Sequence, residues 1–582
     1  MDTKFAEARF EPEEALQFHA QGKPGKLEIA PTKPLATQRD LALAYSPGVA
    51  EPVKAIHAQP GSVYDYTNKG NLVAVVSNGT AILGLGNLGA LAAKPVMEGK
   101  GALFKRFADI DAIDLLVATE DPSSFVESVR YLGPTFGGIN LEDIKPPDCF
   151  EIEARLKELL DIPVFHDDQH GTAIVVVAGI LNALKVVEKK REDVRLICCG
   201  AGAAALACLS LLVKVGFRRE NITVTDLEGV VYKGRPVLMD KYKEPFAQET
   251  TARTLEEVIV GADVFLGLSA GGVVSREMVA SMADRPVIFA MANPIPEIMP
   301  EEVEAVRSDA VVSTGRSDYP NQVNNVLCFP FMFRGALDVQ ASTINDAMKI
   351  AAAEALAEVA QAEIPDEVAN AFHGRRPVFG RDYIMPAPFD PRLISAIPPA
   401  VAKAAMDSGV ARAPIADMDA YVARLAGRLD PVAGWLQSTF EKVRQQPQRV
   451  IFAEGEDPAV IRAANAFFTQ GFGTPLLVGA ASKVRKTFQD LGIELRPEFE
   501  LHDTRGSKYT EEFTNFLFER LQRRGYLKRD CSRLVANERN VFAALMVANG
   551  YADAMVSGAT RNWTSIFEDI NRVMDPAPGH SV

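Results

Sequence analysis

The chain is poor in cysteine. It has six in 582 residues, none in a C-x-x-C pair and two of them adjacent. That spacing does not build a disulfide frame and fits a reducing compartment, so a cytoplasmic protein is expected. An excess of positive charge is missing too. The 62 Lys and Arg against 76 Asp and Glu leave a formal charge of −14, which argues against a sequence-independent grip on nucleic acid or an anionic membrane. Small anionic substrates then need local cations or a metal. The N-terminus MDTKFAEARFEPEE lacks an apolar core, so no targeting segment is expected there. No fixed-period repeat or low-complexity tract occurs. One apolar run, Leu196 to Val213 (LICCGAGAAALACLSLLV), has about the length of a membrane span, but Gly and small residues divide it into strand, turn and helix, so no membrane segment is expected.

What is present is an ordinary globular composition, 47% hydrophobic and 24% charged, in a chain too long for one core; the size prior is three or four domains. Residues 1–160 open on a polar, Pro-containing stretch and continue in short αβ segments, one αβ domain. From Ile162, apolar runs alternate with Gly-containing turns and helices (IPVF, RLICC, ITVTD, DVFLGLS, PVIFAMANP, AVVSTG), which predicts a doubly wound parallel sheet over 161–429. A fresh alternation opens at RVIFAEGEDPAVIRAANAF and is assigned to 430–582. The fold class is α/β throughout.

Two segments carry a dinucleotide-type glycine pattern. In AILGLGNLGALAAKP the context opposes a cofactor: SNGT joins Leu72–Val76 to Ala81–Leu83, and Asn-Gly between apolar runs predicts an antiparallel hairpin, while Pro95 and Gly99 interrupt the helix that should follow. GAGAAA has the right context, between a strand at Arg195–Cys199 and a strand ending on Asp226. Gly200, Ala201 and Gly202 would form the turn, Ala203 and Ala204 would start the helix whose amides face a pyrophosphate, and Asp226 would accept from the adenosine ribose. The other reading is a tight αβ turn without ligand. Asp226 and Glu228 together would repel a 2′-phosphate, which leans toward NAD over NADP.

Acidic pairs stand at element ends, Glu142–Asp143 in NLEDIKPP and Asp167–Asp168 in PVFHDDQHGT. Hard divalent ions such as Mg²⁺ want such oxygens. Either pair alone is also what a helix cap or a solvated loop looks like. Their common place beside the strand taken to open the second domain favours a metal. His166 and His170 have the spacing of a helical zinc site, but the helix is expected to begin only near Gly171.

In order along the chain, YSPGVAEP, SNGTAILGLGNLG, KPVMEGKG, FGGINLEDIKPP, PVFHDDQHGTA, GAGAAALA, ANPIPE and TGRSDYPNQVNNVLCFPF resemble the bacterial malic enzymes, in particular the long form fused to a phosphotransacetylase-like domain. The resemblance covers residues from about 20 to 430. RVIFAEGEDPAVIRAA and ADAMVSGATRN after it are similar to the first lobe of a phosphate acetyltransferase. The resemblance implies oxidative decarboxylation of malate to pyruvate with NAD or NADP. It makes Tyr45 the general acid and Lys100 the general base, with Lys94 a rival that the glycine-lysine pair disfavours. It gives Glu142, Asp143 and Asp168 to Mg²⁺ or Mn²⁺ with Asp167 in support, and Asn293 and Asn325 to substrate and nicotinamide. GLGNLG then belongs to the substrate domain's loop. Two departures stand out. Ala81 replaces an arginine that clamps a substrate carboxylate in some members, and DLEG replaces the Ser-Lys that follows the ribose acid in similar chains, whose closest fused forms are usually NADP enzymes. A homo-oligomer is implied. The third region is expected to be regulatory and oligomerising, with no acyl transfer and a lost or weakened acetyl-CoA response, since both need a second lobe; the competing view is an acyltransferase or acetyl-CoA-binding module with the front as passenger.

Overall fold

The computed structural model describes residues 12–82, 85–364, 377–428, 439 and 442–577. The chain forms two compact units, 1–431 and 432–582. The boundary expected at 429/430 lies outside the described residues, as does Gly84 of GLGNLG.

Among the described residues the first unit holds two sheets. One is ordered β2-β1-β3-β4, with β1 Leu72–Ser77, β2 Asp111–Leu116, β3 Gly138–Leu141 and β4 Val164–His166, all parallel. β1 is buried along its whole length, as an unalternating apolar run requires of a central parallel strand. This corrects the expected hairpin. β2 and β3 take both edges of β1, so an antiparallel neighbour has nowhere to pair. Gly79 turns the chain at φ +67°, and its carbonyl accepts from the amides of Leu88 and Gly89 at 3.2 and 3.1 Å. A Cβ on Gly79 would come within 2.2 Å of the Gly89 carbonyl oxygen. The Asn-Gly pair folds the loop onto itself.

The next helix, Ala90–Ala108, runs through Pro95 and Gly99 and corrects the expected interruption. Ala93, Met97, Gly101, Phe104, Phe107 and Ala108 are buried on it. Burying Met97 and the two phenylalanines contributes about 1.5–3 kcal/mol each, more than the roughly 3 kcal/mol that an interior proline costs. The GLGNLG loop thus leads from β1 through a helix into parallel β2.

β4 corrects a third expectation. Instead of opening the second domain it is the edge strand of the first sheet, because the Asp148–Leu159 helix is a crossover that returns the chain parallel to β3. A π-helical turn, Asp167–Gly171, then passes without a loop into the helix Thr172–Val186, which is almost wholly buried. The stretch Asp167–Val186 is long and apolar enough to cross a membrane by length and composition, and 72% of its apolar window is buried inside the protein.

The second sheet is ordered β10-β9-β8-β5-β6-β7, with β5 Leu196–Cys199, β6 Ile222–Asp226, β7 Gly229–Val230, β8 Val264–Gly267, β9 Val287–Ala290 and β10 Val311–Thr314. Only the β6–β7 pair is antiparallel. Strand order reverses between β5 and β8, the switch point where open α/β sheets bind ligands. The apolar run from Leu196 divides into β5, a turn and the Ala203–Lys214 helix. In the second unit a parallel sheet, β13-β12-β11-β14, comprises β11 Gln448–Phe452, β12 Gly473–Val478, β13 Glu500–His502 and β14 Ala554–Val556, with Phe513, Leu517 and Phe542 in the core over it.

Candidate active site

Lys100 stands on the Ala90–Ala108 helix between buried Met97 and Phe104. Its ammonium donates to Asp167, sits 3.0 Å from Glu142 Oε1 and lies 4.4 Å from the Phe329 ring centroid. Glu142 and Asp143 follow β3, and Asp167 and Asp168 follow β4. Leu141 is in register with His166, so the two pairs leave the sheet side by side at its carboxyl edge. Asp143 takes φ +53°, a left-handed conformation that aspartate tolerates better than most residues. Its amide donates to Asp168 Oδ2 at 2.9 Å. Asn140, two residues upstream of Glu142, donates to Glu142 Oε2 at 2.9 Å. Glu142, Asp143 and Asp168 each bring one oxygen within 4.8 Å of the others.

Four carboxylates here face one ammonium. Burial pushes the Glu142 carboxyl well above its ordinary value, and Asp168, Asp167 and Asp143 add to that against the pull of Lys100. Asp167 is raised by burial as well. Burial alone would lower Lys100, but Asp167, Glu142 and Asp168 outweigh it and hold the ammonium above the usual lysine range. Such an excess of negative charge is relieved either by protonation, toward which the raised Glu142 and Asp167 carboxyls point, or by a counter-cation. An all-oxygen donor set suits Mg²⁺ or Mn²⁺. The histidine pair does not form a zinc site: His170 engages Glu153 at 2.8 Å and Lys349 at 3.2 Å through its two ring nitrogens, while His166 is buried 3.8 Å from Asp168.

At the carboxyl end of β5, Gly200 takes φ +114°, and a Cβ there would come within 2.2 Å of the Leu268 carbonyl oxygen, so only glycine fits. A Cβ on Gly202 would meet nothing within 4 Å. Through Ala201 the chain reaches Ala203 and Ala204, which open the helix, and its N-cap residue, Gly202, has no side chain to cap it; an anion can approach these amides directly. Asp226 ends β6, but its oxygens are taken. Arg235 donates to both at 2.7 and 2.6 Å, Lys243 donates at 3.0 Å and the Glu228 amide at 3.0 Å. Burial pushes this carboxyl up, and those bonds prevail and hold it below its ordinary value. Arg235 and Lys243 offset the negative charge on which the preference for NAD was argued.

The remaining candidates divide. Asn325 is in the acidic cage, its Nδ2 3.3 Å from Asp167 Oδ2 and its Oδ1 accepting from Thr172 at 3.2 Å. Asn293 is exposed and bonds back to Met291 O at 3.3 Å. Tyr45 caps the Gln38–Ala44 helix and is 71% exposed; its hydroxyl has no hydrogen-bond partner among the described residues. Lys94 is engaged elsewhere, with Asp114 at 2.6 Å and Glu98 at 3.3 Å. Ala81 donates its amide to Asp143 O at 3.1 Å.

Family models match in chain order: the malic enzyme N-terminal domain at residues 24–133, the malic enzyme NAD binding domain at 169–370, and phosphate acetyl/butaryl transferase at 435–582. The NADP-dependent malic enzyme of Rhizobium meliloti is 62% identical over 571 residues, 98% of this chain and 75% of that one. The chain belongs to the malic enzyme family. An NAD-dependent malic enzyme of the same organism is 50% identical over 570 residues, 97% of this chain and 74% of its own, so membership alone does not set the coenzyme. The malic enzyme of Pyrococcus horikoshii superposes with a TM-score of 0.65 at 43% identity, covering 73% of this chain and 98% of that structure. In this malic enzyme, sequence reasoning passed over Asn140, Phe329, Arg235 and Lys243. Asn140 was findable, since residues two apart on a strand share a face. Arg235 and Lys243 come from a loop whose return to Asp226 carries no local signal.

Proposed function

We propose that the chain oxidises and decarboxylates (S)-malate to pyruvate and CO₂ with reduction of NADP⁺. The observation that carries this is a buried lysine set in a cage of four carboxylates at the carboxyl edge of one sheet, beside a second sheet with a dinucleotide turn. Glu142, Asp143 and Asp168 would hold Mg²⁺ or Mn²⁺, which supplies Lewis-acid stabilisation of charge on the substrate's oxygens and offsets the field that keeps Lys100 protonated. The coenzyme would lie on the Gly200–Ala204 turn as hydride acceptor. Lys100 Nζ takes the C2 hydroxyl proton of malate. Asp167 and Asn140 hold Lys100 and Glu142 in place, and Asn325 fixes Asp167. Phe329 covers Lys100 and limits water at Nζ.

Protonation of C3 is assigned to Tyr45. The helices Pro12–Ala20, Gln38–Ala44 and Ala50–Ala58 bury none of their residues, and Leu41, Leu43, Tyr45, Val49 and Val53 are exposed. Such an apolar surface fits a homo-oligomer in which a second copy covers it and receives Tyr45. NADP is favoured over NAD by the neutralisation of Asp226. Asn293 is proposed to contact the nicotinamide end, and the second unit to be regulatory, with an acetyl-CoA response that is weak or lost without a second lobe. A cytoplasmic location is part of this reading.

The test is absorbance at 340 nm with malate, Mn²⁺ and either coenzyme, with lactate and isocitrate as controls. Turnover only with malate, faster with NADP than NAD, is expected. Equal rates with lactate, or no loss after chelation, would overturn the assignment.

A further inference from the structure

A cavity of about 330 Å³ opens on the flank of the Ala203–Lys214 helix, and its lining includes neither the four caging carboxylates nor Gly200–Ala204. Its volume falls at the lower end of small-molecule sites, about 300–1,000 Å³. The helix lines it from Leu206 to Lys214, beyond the amides that would face a coenzyme. Arg219, another lining residue, lies before the amino end of β6, whereas dinucleotides take carboxyl ends.

The charge of the lining runs against that of the chain. Lys214, Arg219, Lys241 and Lys349 face Asp346, the one carboxylate among the lining residues, in a protein of formal charge −14. Asp346 is paired to Lys214 at 2.5 Å and lies 3.6 Å from Lys349. Lys349 is 8% exposed, and burial pushes its ammonium down to about 8. Gln169 also lines the cavity. It is 3% exposed and its Nε2 has no hydrogen-bond partner among the described residues. A buried amide donor left unmet is destabilising, and an acceptor that reaches it from the cavity would satisfy it. Phe150 and Tyr242, stacked with centroids 4.2 Å apart, close one wall.

We propose that this cavity binds a small polyanion, a metabolite with two or more carboxylate or phosphate groups, through Lys214, Arg219, Lys241, Lys349 and the Gln169 amide. Gln169 belongs to the same π turn as Asp167 and Asp168, so an occupant that engages its amide acts on the cage from behind. That regulatory consequence rests on the function proposed above, and the binding itself does not.

Calorimetry on the full chain without metal, at matched ionic strength and with saturating NADP⁺, tests binding with citrate, inorganic phosphate and chloride as probes. Saturable binding of citrate or phosphate but not chloride is expected, with the stronger of the two naming the anionic group. The variant Arg219→Ala/Lys241→Ala changes two exposed side chains and should weaken binding at least tenfold while leaving kcat and the malate KM unchanged without the anion. Ala207→Trp, which fills the cavity without altering charge, should abolish binding. With free Mn²⁺ held constant, the bound anion should change the malate KM at least threefold in the wild type and not in either variant. No saturable binding, or binding equally tight in the double variant, would overturn the site; binding without a KM change would overturn only its coupling to the cage.

Discussion

Lys100→Met removes the ammonium and keeps most of the apolar stem. At the 3.0 Å separation from Glu142, the lost attraction is about 5 kcal/mol for an effective dielectric of about 20. Removing one partner of a buried pair leaves the others uncompensated and typically costs about 3–5 kcal/mol. The metal-free variant should therefore lose about 3–5 kcal/mol in urea melts. Mn²⁺ should undo much of this. The substitution deletes a cation that competes for the same carboxylates, so the variant binds the metal at least as tightly as the wild type, and at about 100 times Kd a bound ligand adds about 2.7 kcal/mol. Turnover should not return: loss of a general base lowers kcat about 10²–10⁴-fold. The assay pairs melts with and without Mn²⁺ with steady-state rates at saturating metal. A variant that keeps kcat within about fivefold, or that loses Mn²⁺ affinity tenfold, would refute the assignment of Lys100 as base beside the metal rather than as a strut for it.

Gly200→Ala meets the Leu268 carbonyl at 2.2 Å and should cost several kcal/mol by thermal melt, whereas Gly202→Ala points into open space, should fold normally within about 1 kcal/mol, and should raise the coenzyme KM more than tenfold. Lys243→Ala should lower the NADP-to-NAD ratio of kcat/KM by about tenfold; an unchanged ratio would separate Lys243 from coenzyme choice. Glu142 holds its proton above the ordinary value near 4.5. The metal-free fold therefore binds more protons than the unfolded chain, and this group's stability falls as pH rises beyond about 4.5. Mn²⁺ takes the deprotonated form, so its stabilisation should grow with pH through the same window; melts at several pH values should show it, and a metal effect that shrinks as pH rises would contradict it.

Much of this site is written in short segments. Glu142–Asp143 and Asp167–Asp168 each follow an apolar run, and strand ends are where α/β sheets place their chemistry. Gly200 and Gly202 announce their turn because one cannot carry a Cβ and the other leaves room for a ligand. Local signals failed where a longer-range arrangement overrode them. Asn-Gly after LVAVV read as a hairpin, although the lack of polar alternation in that run already favoured a central parallel strand. Pro95 read as a breaker because the burial of Met97, Phe104 and Phe107 against distant elements is invisible in the helix itself. Asp226 read as a bare acid because Arg235 and Lys243 reach it from a loop. The role proposed for Tyr45 rests only on likeness to other malic enzymes, since among the described residues no hydrogen bond ties its exposed side chain to Lys100.

The passage from β4 through Asp167–Gly171 into Thr172–Val186 has a mechanical consequence. One stiff rod carries Asp167 and Asp168 at its tip and is rooted in the interior beside the coenzyme sheet. Any closure of the second sheet on a substrate would find no loop there to bend, so it would swing about other connections and carry the tip with it. Jamming or shortening that rod should therefore blunt hydride transfer and metal capture together.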